Sequence, residues 1–483
     1  MNSQIKAIRW DIKNLVRLLS VLLSFVCFVC LVFLENKPNY RAILLLPLTM
    51  TIITACFPFR KKIKSLPFFI IYALYVLRYT VFPLILCVCG YQTTINKQLW
   101  ESCFNEACIL MSIEAIFVFI CLYFILSIKS RWNNQSQSDK YRFNPSSRFL
   151  RGNTGLTVLA VTCGVYVLFI GLLFPGLIIA YWDIPFVSPE DGLRFQQLYN
   201  YQSQIPSLLY TLYQIASELL RYSIIIIFLT KIRYLKKNDK FKLFAMLFVT
   251  VAGAVIQSFE RINSVIVFVI GIYYIITSIS LKTQKSLLYL IGLIVIVAIG
   301  FYGFKVADID GQRRLCDIVN DYFCGPITTA QVIFMKKNIG AYPLQIINDF
   351  LGSVPILTKF VDVVTLTKHY QQYFNIQGNF VSLVGSGYYY FGYLGCWIPA
   401  AIVMLCVKFL DNLSKKTKSV AMSLMFTLCA VNCAIAVGMY ELTIFVSAWF
   451  HIYIWCILAG LLDNRKSVKY RINNQLRLET RFG

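Results

Sequence analysis

Residues 106–128 read EACILMSIEAIFVFICLYFILSI, a run long and apolar enough to cross a hydrocarbon core of about 30 Å, with Glu114 as its one interior charge. No water is available at that depth, so each backbone amide must find its partner within the segment, and a run this uniform is a helix. A strand of a membrane β-barrel would alternate apolar with polar residues, which this run does not do. Working outward along the 483-residue chain, comparable runs fall at 14–34, 41–58, 67–90, 155–181, 208–229, 243–259, 262–281, 286–304, 387–407, 419–438 and 443–462. Together they predict an all-α, polytopic integral membrane protein of about twelve spans, forming one membrane domain over residues 1–483. The 58% share of hydrophobic residues excludes an ordinary water-soluble enzyme.

A net charge of +24 raises the question of nucleic acid, and the placement of the charges answers it. With the N-terminus inside, the basic clusters at 60–62, 129–151, 231–242, 282–285, 408–418 and 465–481 all fall on one face, which predicts that both termini are cytoplasmic. The surplus is a topology signal, and attraction to an anionic leaflet accounts for it. Basic patches interleaved with aromatics, as nucleic-acid modules carry, are missing, so membrane lipids are expected as partners and nucleic acid is not. The first span follows Lys6, Arg9 and Lys13, has no small-residue cleavage site after it and runs on into the second, so it reads as a retained anchor.

Most loops are short. The exceptions, 91–105, 182–207 and 305–386, lie on the external face, and the last, between spans nine and ten, is far longer than ordinary connections. Function is expected there. Its stretches 342–350 and 351–364 place apolar residues at helical spacing among Asp349, Lys359 and Asp362, which predicts amphipathic helices along the outer membrane surface. Neither a solenoid repeat nor a pair of Gly/Pro-interrupted helices in matching halves is present, so the usual pointers to a transporter are missing.

The sixteen cysteines lie mostly inside predicted spans and make no metal pattern. Two external pairs, Cys103 with Cys108 and Cys316 with Cys324, are open to oxidation in a periplasm-like compartment. The chain has no Walker A loop, no GxGxxG after a strand, no HExxH and no GxSxG, so no cofactor and no nucleotide-driven transport is expected.

A charge within a bilayer costs at least a few kcal/mol and is a functional hypothesis by default. Arg78, Glu114, Glu218 and Arg221 qualify. Glu218 and Arg221, spaced i, i+3, can pair along one helix face, as a structural ion pair or as part of a site. Arg78 has no partner on its own span and must reach a carboxylate elsewhere, Glu114 being the candidate, or line an aqueous cavity. Externally, Arg194 follows Glu190 and Asp191, Arg261 sits in the tight turn 258–264, and Arg313 and Arg314 open the large loop. A guanidinium stays charged and binds phosphate oxygens in pairs, so these arginines suit a diphosphate at the membrane surface, the plainer alternative being contact with solvent or lipid headgroups. His369, in the large loop, has an unperturbed pKa near neutrality and is a candidate general base or else an exposed loop histidine. His451, inside the last span, reads as a packing residue.

Three segments taken together carry a resemblance. The turn Ser258-Phe259-Glu260-Arg261-Ile262-Asn263-Ser264 resembles the Ser-x-x-Arg turn of the Wzy-type polymerases of bacterial O-antigen and capsule. Asp321-Tyr322-Phe323-Cys324-Gly325-Pro326-Ile327, followed by Phe334 and Gly340-Ala341-Tyr342-Pro343, is similar to that family's Tyr-x-x-Gly-Pro segment. Asn379-Phe380-Val381-Ser382, followed by Tyr390-Phe391-Gly392-Tyr393-Leu394-Gly395, resembles its Asn-x-x-Thr and Asp-Phe-Gly-x-x-Gly, with Ser382 for the threonine and Tyr390 for the aspartate.

The resemblance covers residues 255–400 and implies a polymerase in the bacterial inner membrane that joins undecaprenyl-diphosphate-linked oligosaccharide repeats on the outer face. It implies a lipid-linked oligosaccharide as substrate, with a chain-length regulator and a flippase as candidate protein partners. Arg261, with Arg194 and Arg313 or Arg314, would hold the diphosphate, and His369, Asp308 or Asp310 would take the acceptor hydroxyl's proton. Tyr388, Tyr389, Tyr390 and Phe391 would pack against the sugar or against the neighbouring helices. An O-antigen ligase and a flippase of the lipid-linked sugar are the other readings. A mannosyltransferase of the lipid-sugar type would need a large acidic first external loop, and residues 35–40 are too short for one.

Overall fold

The computed structural model describes residues 2–57, 63, 65–93, 95–128, 154–175, 205–234, 316, 319–320, 325–342, 344–354, 363–376, 381–416, 420–439, 454 and 458. Every regular element among them is helical. Among the described residues six stretches are long and apolar enough to cross a membrane: Arg17–Leu34, Pro38–Cys56, Leu66–Val88, Glu101–Ser127, Gly155–Leu173 and Tyr393–Lys416. Each answers to one of the runs read from the sequence, and the chain is a helical membrane protein. The runs 243–259, 262–281 and 286–304, and nearly all of 443–462, lie outside the described residues.

The chain divides into two compact units. The first comprises Met1–Asn133, Val295–Asp411 and Ala430–Ser447; the second comprises Asn134–Ile294, Asn412–Cys429 and Ala448–Gly483.

In the first unit, α1 (Asn2–Leu34) packs on α2 (Leu45–Cys56), which follows a 3-10 segment at Pro38–Leu44. The third span is two helices, α3 (Leu66–Val76) and α4 (Phe82–Val88), joined by a π-helical turn at Leu77–Val81. Proline at the second position of α4 lacks the amide that an unbroken α-helix would use there, in keeping with the widened turn just before it. Next, α5 (Phe104–Ser127) packs against α2, and Arg17 closes the end of α2 by donating to the carbonyls of Thr54, at 3.4 Å, and Ala55. Throughout this bundle Leu18, Leu22, Phe25, Ile109, Ile116 and Phe124 face outward, as lipid contact requires and water would penalise.

In the second unit, α6 (Thr154–Leu173) packs along α7 (Ser207–Tyr234). Ile170, Ile205 and Tyr213 are its buried centre, with Tyr166, Val167, Phe174, Leu209 and Tyr210 against them.

Residues 305–386 hold α8 (Pro326–Ile339), α9 (Gln345–Ser353), α10 (Leu366–Phe374) and the start of α11 (Leu383–Phe391). The pattern at 342–364 resolves differently from the two stretches expected: α9 runs from Gln345 to Ser353, straight through the boundary placed at 350. The run 387–407 is also divided. Its first residues finish α11, which stops at Gly392, and α12 (Ile398–Lys416) begins afresh. Gly392 has φ +73, a backbone conformation that side-chain-bearing residues adopt only at a cost. Hydropathy could not show this break because the corner itself is apolar. Finally, α13 (Val420–Met439) answers to the run 419–438.

Candidate functional site

Two polar clusters stand in the first unit, one inside the bundle and one in the large-loop segment. Inside the bundle, the π-turn presents Arg78 toward α5, where its guanidinium lies 3.9 Å from Glu114 Oε2. Both residues are sealed from the surface, at 2% and 0% exposure. The hydroxyls of Tyr75 and Tyr79 donate to the same carboxylate, and their rings stack at 5.5 Å. Arg78 also lies 5.6 Å from the centre of the Tyr79 ring. The carboxylate thus has three partners in a place where a lone charge would be prohibitive, and the cluster braces α3–α4 against α5. At 2% exposure Arg78 does not line an aqueous cavity; of the two possibilities read from the sequence, the structure adopts the carboxylate.

The second cluster centres on Asp349 of α9, which is 1% exposed. Its Oδ1 accepts from Gln345 Nε2 at 3.0 Å and from the Leu366 amide at 2.6 Å, and its Oδ2 accepts from the Tyr390 hydroxyl. One side chain therefore ties α9 to the start of α10 and the end of α11. Burial pushes its carboxyl up to about 6, against the two hydrogen bonds from Gln345 and Leu366 that favour the charged form. Around it, Tyr389 donates to the Gly340 carbonyl at 3.3 Å, and the Tyr342 ring stacks on His369 at 5.6 Å with an interplanar angle of 9°. Lys336 donates to the Tyr388 carbonyl at 2.7 Å and sits 4.4 Å from the centre of that ring, and desolvation lowers its pKa. Lys337 pairs with Glu106 at the start of α5, which raises the lysine's pKa. The assembly offers a carboxyl raised to about 6, an imidazole, an ammonium and a set of tyrosine rings.

Local sequence explains why the cluster forms. Thr365 caps α10, its hydroxyl accepting from the Lys368 amide, and this starts the helix that carries His369. Ser382 does the same for α11, accepting from the Gly385 amide at 3.0 Å. The Gly-Pro step at the head of α8 has an equally concrete cause. Asn320 Oδ1 accepts from the Ile327 amide at 3.3 Å, and a Cβ on Gly325 would lie 2.4 Å from that oxygen.

Of the residues singled out from the sequence, His369 is half-buried in the second cluster and Arg78 is in the first. Glu218 is half-buried on α7, with Arg221 a turn further along the same helix. Arg194, Arg261, Asp308, Asp310, Arg313 and Arg314, along with His451, lie outside the described residues. Tyr388 and Tyr389 are buried against their neighbours, and the exposed ring of that run is Phe391. Cys103 and Cys108 are separate buried thiols, and Cys324 is outside the described residues. Among the described residues no three His, Cys, Asp or Glu side chains gather as a metal site would need.

Sequence reading took Asp349 only as a polar position of an amphipathic stretch, and passed over Gln345, Lys336 and the pairing of Asp349 with Tyr390. The available signal was the polar stripe Gln345, Asp349, Ser353 at i, i+4, i+8, opposite Leu344, Ile347 and Phe350. Periodicity shows that such a helix has two faces and is silent on which one turns inward.

No protein-family model matches the chain, and no curated protein or solved structure is significantly similar to it.

Proposed function

We propose that this protein is a polysaccharide polymerase of the bacterial inner membrane, with about twelve spans and cytoplasmic termini, acting on lipid-diphosphate-linked oligosaccharides at the outer face. The observation that carries the reading is that two of the three motif-bearing segments lie on helices that pack together, with Gly325 shaping the head of α8 and Ser382 capping α11, whose Tyr390 binds the buried Asp349.

In the proposed reaction a hydroxyl of the terminal sugar on one carrier attacks the anomeric carbon of the growing chain on another. The new glycosidic bond forms as the bond from that carbon to the diphosphate oxygen breaks, and His369, Asp308 or Asp310 takes the hydroxyl proton. Arg261, Arg194 and Arg313 or Arg314 neutralise the departing lipid diphosphate, so charge stabilisation supplies much of the rate. Tyr342, stacked on His369 and itself exposed, offers a ring face to a sugar. Arg78 contributes through the brace with Glu114, and Glu218 with Arg221 through α7.

The test is the length profile of surface polysaccharide in cells lacking the gene. Collapse of the ladder to one repeat supports the polymerase. Full-length polymer stranded on its carrier points to a ligase, and single repeats trapped on the cytoplasmic face point to a flippase. Normal-length polymer from an Arg261→Ala variant that still inserts would overturn the arginine assignment.

A further inference from the structure

Two adjacent lysines end α8, and their ammonium groups meet different partners. Lys337 pairs with Glu106 at the head of α5. Lys336 is half-buried against α11, where its Nζ donates to the Tyr388 carbonyl at 2.7 Å and stands 4.4 Å from the centre of the Tyr388 ring and 6.0 Å from that of Tyr389. Among the described residues no carboxylate lies within ion-pair distance of it. We propose that Lys336 is a binding site for the phosphate of an outer-leaflet lipid, whose chain lies against the corner at 391–394.

The ammonium is fixed in place and short of counter-charge. The Tyr389 hydroxyl donates to the Gly340 carbonyl at 3.3 Å, and the Gly340 amide donates to the Lys336 carbonyl at 2.9 Å, so α11 grips the end of α8 that carries the lysine. The Tyr388 carbonyl that receives the ammonium is shared, since it also accepts from the Gly392 amide at 2.9 Å. An ammonium has three donors, and the protein occupies one of them. Burial disfavours its charged form and lowers its pKa, and the tyrosine faces offset only part of that cost. A phosphate oxygen would supply the missing charge, and a compact ammonium makes no strict demand on its direction of approach.

Depth makes the phosphate that of a lipid. Glu106, beside Lys337, is in the first turn of α5, whereas Trp397 stacks on Phe117, midway along that helix, with ring centres 5.5 Å apart. The corner between α11 and α12 therefore lies between the outer end of α5 and its midpoint, the level at which headgroups give way to chains. Its Phe391, Tyr393 and Leu394 are exposed, Leu394 at 79%, and Tyr393 meets the Tyr388 ring edge-on at 5.1 Å. A cation beside exposed aromatic and aliphatic side chains matches a lipid, with the phosphate at the lysine and the chain along the corner. In the topology proposed above this is the outer face. A bulk anionic phospholipid and the lipid diphosphate of the proposed reaction present the same oxygens, and the second source rests on that reading.

The experiment uses the purified full-length protein in phosphate-free detergent, given phosphatidylglycerol, undecaprenyl diphosphate or, for comparison, diacylglycerol, with bound lipid read by native mass spectrometry. The wild type is expected to hold the phosphate lipids in preference to diacylglycerol. Lys336→Met should bind them about tenfold more weakly. Lys336→Arg should bind as the wild type does, and so should Lys337→Met, whose lysine is already paired with Glu106. Weakened binding of phosphatidylglycerol, with or without the other, identifies a general headgroup site; weakened binding of undecaprenyl diphosphate alone identifies a site for the carrier. Should Lys336→Met fail to accumulate, acetylation of the wild type decides: a phosphate lipid must slow labelling of Lys336 and leave that of the exposed Lys368 unchanged. Equal binding by Lys336→Met and the wild type, or equal labelling of Lys336 with and without the phosphate lipid, would overturn the proposal and leave Lys336 as a packing tie only. Neither assay reads polysaccharide, so failure here is separate from failure of the polymerase reading.

Discussion

The hydroxyl of Tyr390, on the last turn of α11, donates to the carboxylate of Asp349, on α9, at a point almost closed to solvent. The carboxylate reaches Tyr390 from a different helix, across the segment between α9 and α11. Removing the hydroxyl should expose the cost of a buried, less satisfied carboxylate. A Tyr390→Phe variant is expected to lose about 1–3 kcal/mol of stability, read as an earlier loss of folded protein in thermal denaturation of the detergent-solubilised chain. A variant as stable as the wild type would mean that the contact contributes nothing.

Asp349 also makes a pH prediction whose sign is the reverse of the usual carboxylate. Its folded-state carboxyl is raised from 3.8 to about 6, so the folded chain binds the proton more tightly than the unfolded one. The destabilisation from its charge is fully present above about 6 and is relieved as the pH falls through 6 toward 3.8. Compared with Asp349→Asn, which has no such titration, the wild type should gain stability between pH 7 and pH 4.5, by roughly 1–3 kcal/mol. The difference between the two proteins is the quantity to measure, because other carboxylates titrate in both. A difference that stays flat with pH, or shrinks in the other direction, would contradict the assignment.

Within the bundle, Arg78 and Glu114 should behave as a unit. Arg78→Met alone leaves the Glu114 carboxylate buried beside its two tyrosines, and Glu114→Gln alone takes the carboxylate charge away from the buried guanidinium; each is expected to cost about 3–5 kcal/mol. The double variant should recover much of that loss, and a double-mutant cycle on thermal stability measures the coupling. Additive losses would show that the two side chains do not depend on each other.

The orientation of α9 predicts its surroundings. Leu344, Ile347 and Phe350 are 65%, 51% and 51% exposed, while Gln345, Asp349 and Ser353 face inward. A helix turned this way belongs against lipid. Tryptophan placed at Ile347 should be quenched by bromine-labelled lipid chains and shielded from aqueous acrylamide; the opposite pattern would put α9 in water.

Gly325 should tolerate no side chain, since a Cβ would meet Asn320 Oδ1 at 2.4 Å. Gly325→Ala is expected to destabilise by about 1–3 kcal/mol. The loss should appear as faster proteolysis at the head of α8, and unchanged protease resistance would show that Asn320 moves aside freely.

What the sequence determined by itself was the class of protein and the approximate position of its helices. Long apolar runs have one stable state in lipid, so composition and length suffice to find them, and the six qualifying helices lie where the runs were read. Arg78 was also legible as a residue in need of a carboxylate, because an isolated charge at that depth is too costly to leave alone. The tertiary structure decided which groups meet. Whether the polar or the apolar face of α9 turns inward depends on the surrounding solvent, and a periodic pattern is the same either way. The break at Gly392 depends on backbone geometry in a segment that hydropathy sees as continuous. The meeting of Asp349 with Tyr390 joins residues far apart along the chain, and each of them taken alone reads as a polar position on its own helix. Local sequence encodes local conformation and burial preference, whereas pairing across helices is set by packing, which only the folded chain specifies.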